Sequence, residues 1–151
     1  MIETPLSVSD WGPRQSPSLE DFETIALAAF ARLPEHFRER CTDLVIRIED
    51  FPEDSVLDDL DAETPFDILG LYQGVSLAGR DSAVAATPDL VFLYRRPMLD
   101  YWAEFEDTLG GVITHVLVHE IGHHFGLSDA DMEAIEAAAA NDEADRNSSA
   151  G

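Results

Sequence analysis

Lysine is missing altogether from the 151 residues, and all nine basic side chains are arginines. Against 31 aspartates and glutamates they leave a formal net charge of -22. A field of that sign repels phosphate backbones and anionic headgroups, so nucleic acid and membrane surfaces are excluded as natural partners, while cationic ones remain. The acids otherwise form a solvated face that keeps a small protein soluble, and acidity alone names no function. Cysteine is almost as scarce. Cys41, the single one, cannot form an intramolecular disulfide and has no Cys-x-x-Cys partner, which excludes a disulfide framework and a dithiol redox or zinc centre. It reads as a small apolar residue near a strand start. No apolar run reaches the roughly 20 residues that a membrane helix needs, and Met1 to Gly12 hold neither a basic n-region nor an apolar h-region. The expectation is a soluble cytoplasmic protein. No internal repeat is present.

The apolar share of 45% suffices for one core in a chain of single-domain length. Residues 1–17 mix Pro5, Pro13 and Pro17 with Ser and Gly and read as a flexible N-terminal arm. The domain is expected over residues 18–140. Ser18 can cap a helix whose apolar positions Phe22, Ile25, Ala26, Ala29, Phe30 and Leu33 keep helical spacing up to Pro34. Asp43 to Phe51 alternates as a strand, and two more strands are expected over Ile68 to Leu77 and Leu90 to Arg95. A Gly, Asp and Ser stretch around Gly79 to Ser82 and a Thr87-Pro88 break separate those two, and Pro97 closes the last. The acid-rich segment from Phe51 to Pro65 reads as an exposed loop. A long helix follows over roughly Thr108 to Phe125, ended by Gly126, then a short one from about Ala130 to Ala140 and a disordered polar tail over 141–151.

The long helix carries the chemistry. His119 to Asp129 read HEIGHHFGLSD, in which His-Glu-x-x-His is followed by Gly126 and Asp129 at fixed offsets. Helical residues four apart lie about 40° apart around the axis and roughly 6 Å along it, so His119 and His123 can converge on one ion. Glu120 is turned about 100° from His119, which suits a carboxylate that reaches a metal-bound water rather than the metal. Gly126 permits a left-handed turn that can swing Asp129 back as a third ligand. Asp129 has a competing reading as the cap of the last helix, although Ser128 can take that role instead. Composition alone predicts His-Glu-x-x-His roughly 0.015 times per chain, so coincidence is a weak competitor. His115 and His123 are separated by about 12 Å of helix rise, too far for one ion to bind both, and His115 is expected in the core or outside the ligand set. His124 is expected to pack or face solvent, and His36 to be solvated or capping.

The motif and its surroundings resemble the small zincin-like metallopeptidase family of bacteria. Besides HEIGHHFGLSD, the resemblance rests on Leu33-Pro34, LGLYQG at Leu69 to Gly74, Pro88 before VFLYRRP, and Thr114. It implies a minimal α+β fold, with a small mixed or antiparallel sheet packed against an active-site helix. By the same carry-over it implies zinc at His119, His123 and Asp129, Glu120 as general base, and a peptide or protein substrate. The chain departs from the larger metzincin class, whose methionine-containing turn lies well downstream. Met132, three residues after Asp129, is instead expected in the core. The departure leaves Tyr72, Tyr94 and Tyr101 as candidates for stabilising an oxyanion. A peptide could add to the edge of the strand at Leu69 to Leu77, where Gly70 and Gly74 allow another backbone close, though core packing explains both glycines equally well. Two functions follow: a zinc-dependent peptidase, or a metal-stabilised regulatory or protein-binding module with little or no proteolysis, whose charge selects a basic partner.

Overall fold

The computed structural model describes residues 8–74 and 88–150. After a single turn, α1 (Val8–Trp11), the chain reaches Ser18. The Ser18 hydroxyl accepts from the Asp21 amide at 3.1 Å, and the Asp21 carboxylate accepts from the Ser18 amide at 2.8 Å. This reciprocal pair is a capping box, and it starts α2 (Leu19–Ala31) where the sequence predicts a start. Phe22, Ala26 and Ala29 on α2, with Leu33 beyond it, are buried. Pro34 then leads into a second short helix, α3 (Glu35–Arg38).

β1 (Val45–Glu49), β2 (Gly70–Gln73) and β3 (Leu90–Tyr94) form one sheet in the order β1-β3-β2. β1 runs parallel to β3, with Val45 opposite Leu90, and β2 runs antiparallel to it, with Gly70 opposite Leu93. The sheet is therefore mixed, and the fold is α+β as expected. All three predicted strands exist, although β2 is shorter than the span Ile68 to Leu77. The remainder of that span beyond Gly74, the Gly79 to Ser82 stretch and Thr87 lie outside the described residues.

The acid-rich segment taken for a loop contains α4 (Asp54–Asp59) and a 3-10 turn over Pro65–Asp67. Its turn-forming residues act as caps: the Thr64 hydroxyl accepts from the Phe66 amide, and the Asp67 carboxylate from the amides of Glu63 and Thr64. β3 ends at Tyr94, three residues before Pro97, which the sequence reads as closing it. Pro97 sits in the first turn of a helix, α5 (Arg95–Glu104), where a missing amide donor costs no hydrogen bond. Arg95 also ties down the residues before Ser18, donating to the Pro17 carbonyl and the Ser16 hydroxyl while pairing with Asp50 at 3.1 Å. Residues 1–7 of the expected arm lie outside the described residues.

α6 (Leu109–His124) is the central helix, packed against α2, α5, β2, β3 and α7 (Asp129–Ala150). Thr108 caps it by accepting from the Gly111 amide at 3.0 Å. Val112, Ile113, Val116, Leu117, Val118 and Ile121 are buried, and Phe125 just past the helix is partly buried. α7 continues past Ala140, where the sequence reading ended the helix and began a tail. Alanines 137–140 favour the helix, and no Gly or Pro intervenes before Gly151 to stop it. Among the described residues no helix is long and apolar enough to cross a membrane.

Candidate metal centre

The His-Glu-x-x-His segment forms the last turns of α6, and its C-terminus is built as the sequence requires. Gly126 takes φ +72°, the Leu127 amide donates to the Gly122 carbonyl at 2.9 Å, and the Gly126 amide to His123 at 3.1 Å. These are the two bonds of a Schellman motif, which reverses the chain within four residues. Ser128 then caps α7: its hydroxyl accepts from the Asp131 amide at 3.1 Å, and Asp131 accepts from the Ser128 amide at 3.3 Å. Asp129, exposed at the first helical position, is thereby relieved of the capping role.

His119 and His123 stand one turn apart with ring centroids 5.7 Å from each other, edge to face. His123 is exposed, whereas the Nε2 atom of His119 is buried and has no hydrogen-bond partner. A buried ring nitrogen without a hydrogen bond is costly unless an ion meets its lone pair. That fits a metal ligand. The donors that stand close to His119 are, however, different from those predicted. His115 Nδ1 lies 2.8 Å from Glu136 Oε1, His119 Nε2 lies 3.5 Å from Glu136 Oε2, and the two imidazole centroids are 4.0 Å apart. Ligand atoms of these three residues all lie within 4.8 Å of one another, and among the described residues His123 and Asp129 join no such group.

Sequence reasoning missed Glu136. The available signal was its place on α7, an acid beside the buried stripe Met132, Ile135 and Ala139. Met132 meets α6 at Gly122 and Glu136 meets it at His115, so the two helices run antiparallel. A Cβ added to Gly122 would stand 2.5 Å from the Met132 sulfur, which shows how closely the helices approach beneath the motif. Met132 is fully buried, a core residue as expected.

Glu120 is half-buried, and burial pushes its carboxyl above the usual range, against the opposing pull of His123 and a hydrogen bond from the Tyr72 backbone. β2 can lie this near because residue 70 is glycine. A Cβ there would meet Val116 Cγ1 at 2.7 Å, the Phe92 carbonyl at 3.0 Å and Glu120 Cγ at 3.3 Å, so internal packing accounts for Gly70. A cleft of about 380 Å³ is lined by His115, Val116, His119 and Glu120 of α6, and opposite them by Leu60 and residues 67–70. Of the three tyrosine candidates, Tyr72 stacks on His124 at 3.9 Å and donates its hydroxyl to Asp89 at 2.8 Å. Tyr94 is buried with its hydroxyl pushed up to about 12, chiefly by burial. Tyr101 lines a smaller cavity together with His115.

Residues 41–139 match the family described as zincin-like metallopeptidase. The matched segment runs from the turn before β1 into α7, and so includes the sheet, all of α6 and Glu136. No curated protein matches the chain.

Proposed function

The chain belongs to the zincin-like metallopeptidase family, and on that premise we propose that it is a zinc-dependent peptidase whose ion is held by His119, His123 and Asp129, with Glu120 as general base. One observation carries the reading: the buried Nε2 of His119, which makes no hydrogen bond, shares a helix and a cleft with the half-buried carboxylate of Glu120. When bound, zinc supplies Lewis acidity toward the scissile carbonyl and the attacking water. The protein's own groups do the rest. A carboxylate raised above its ordinary range is a stronger base at neutral pH, so Glu120 accepts the proton of the attacking water and passes it to the leaving amine. The Tyr72 backbone, bonded to that carboxylate, fixes where it points. The cleft receives the substrate beside β2, an edge strand to which an extended peptide can align. Asp67 lines the same cleft and follows the acid-rich residues of α4, which favours basic peptides.

The test is hydrolysis of a quenched peptide library by zinc-loaded protein, with Glu120→Ala as the reference. General-base catalysis contributes on the order of 10²- to 10⁴-fold, and a loss of that size is expected in the variant. Wild-type turnover no greater than that of Glu120→Ala overturns the peptidase reading. Equal, uncleaved capture of a basic partner by both proteins would indicate a binding module instead.

A further inference from the structure

His115, His119 and His123 make two overlapping i, i+4 pairs that share His119. Each pair meets the geometric condition that lets two helical imidazoles approach one ion. His115 and His123 cannot serve the same ion, since two helical turns separate them. The pair turned toward α7 has a carboxylate already seated against it. Glu136 directs one oxygen to each ring, at 2.8 Å from His115 Nδ1 and 3.5 Å from His119 Nε2. Two imidazoles and a carboxylate are a common donor set for zinc and its late first-row neighbours.

The spacing also suits an ion. Ligands bound tetrahedrally at about 2.0 to 2.1 Å stand roughly 3.3 Å from one another. The gaps to the two Glu136 oxygens, 2.8 and 3.5 Å, are near that value, and one donor atom from each of the three residues lies within 4.8 Å of the others, so closing on a metal needs side-chain adjustment. The Nε2 of His119 adds to this: it is buried within the group and makes no hydrogen bond, its contact with Glu136 Oε2 being 3.5 Å long.

From these contacts we infer that the chain has a second seat for a divalent transition-metal ion, formed by His115, His119 and Glu136, and that it is an alternative to the His-Glu-x-x-His seat. An imidazole nitrogen has one lone pair, so Nε2 of His119 serves one ion at a time. An ion held through that nitrogen by His115 and Glu136 is not shared with His123 and Asp129, which lies seven residues before Glu136 on α7. The protein then binds one ion in two exclusive positions, of which only one involves the proposed third ligand Asp129. The inference shares His119 with the proposed function but stands without the peptidase activity.

Cobalt(II) is the probe, because its visible absorption reports ligand number and geometry. Full-length protein is titrated as wild type, Glu136→Gln, His123→Ala, and His123→Ala combined with Glu136→Gln or with His115→Gln. His115 and His123 are exposed and Glu136→Gln preserves shape, so all variants are expected to melt cooperatively. His123→Ala is expected to bind one cobalt per chain with a spectrum distinct from that of Glu136→Gln. Adding Glu136→Gln or His115→Gln should then weaken its binding at least tenfold. No cobalt binding by His123→Ala, or binding indifferent to both added changes, overturns the second seat. The His-Glu-x-x-His seat is read separately: it fails if Glu136→Gln binds no cobalt while His123→Ala does.

Discussion

Two buried weak acids, a thiol and a phenol, mark the alkaline limit of this fold at the level of single residues. The buried Cys41 thiol, 3.6 Å from the Phe37 carbonyl, is pushed up to about 11, first by burial and then by Asp89. The Tyr94 hydroxyl is pushed up to about 12, first by burial and then by Glu49, Glu53 and Glu120. In the unfolded chain these groups ionise near 9.0 and 10.0. Their folded values are higher, so their neutral forms support the native state fully below about pH 9, and that support is lost as the pH rises towards 12. A displacement of one unit is worth about 1.4 kcal/mol, so stability should fall on the order of 2 kcal/mol or more over this window. Urea midpoints measured from pH 8 to 12 check it, with Cys41→Ala and Tyr94→Phe together expected to flatten the decline. An equally steep decline in the double variant would assign the effect to other groups. The burial of Cys41 was legible in the sequence because a lone cysteine with neither a disulfide nor a Cys-x-x-Cys partner has few roles besides that of a small apolar residue. The burial of Tyr94 depends on what α5 and α6 cover and was not.

The α6–α7 contact decides more at the level of elements than any cap does. Gly122 faces Met132 so closely that a side chain at 122 must displace the sulfur, which sits in a fully buried position with little room to yield. Gly122→Val is therefore expected to cost about 1 to 3 kcal/mol through overpacking, despite the better helix propensity of valine. Because Glu136 lies one turn beyond Met132 on α7, the same change should also loosen its contact with His119. Chemical denaturation measures the first effect and cobalt affinity of the His123→Ala background the second. A Gly122→Val protein as stable as wild type would mean that Met132 does not set the helix spacing. What could be read from sequence at this scale was whatever acts within about four residues. Ser18, Thr108 and Gly126 cap or end their helices through bonds to near neighbours, and the periodicity of α2 and α6 reports their buried faces directly. α4 and α5 were missed because acids, prolines and turn formers serve both loops and the first turns of helices. The His115–Glu136 pair spans 21 positions and exists only because α7 folds back antiparallel on α6, a pairing that no local pattern encodes.

Considered as a whole, the molecule has a class that its sequence states and a topology that it withholds. Strand and helix periods gave α+β with a small sheet, and the motif pointed to the helix that would carry the site. The order β1-β3-β2, with one parallel and one antiparallel neighbour, depends on contacts between segments more than forty residues apart for β1 and β3. Charge, by contrast, is a property of the whole chain and can be reasoned about without topology. With 31 acids facing nine arginines, repulsions outnumber attractions at pH 7 even though pairs such as Arg95–Asp50 exist. Folding brings these acids closer together than the unfolded chain does, so their mutual repulsion opposes the native state. Sodium chloride shortens the Debye length from about 30 Å at 0.01 M to about 10 Å at 0.1 M, which screens long-range repulsion between exposed carboxylates more than it weakens a contact pair. The melting temperature should therefore rise as sodium chloride increases from 0.01 to 0.3 M. A gain of 1 kcal/mol corresponds to roughly 2–4 °C for a chain near this length. The sign can be checked through pH. At pH 5 more of the carboxylates carry protons and the net charge is smaller, so the same salt increment should raise the midpoint less than at pH 8. Calorimetry on metal-free protein at both pH values separates this effect from ion binding at the histidines. A midpoint that falls with salt at pH 8 would mean that specific ion pairs, rather than the overall acidic field, dominate the electrostatics of the fold.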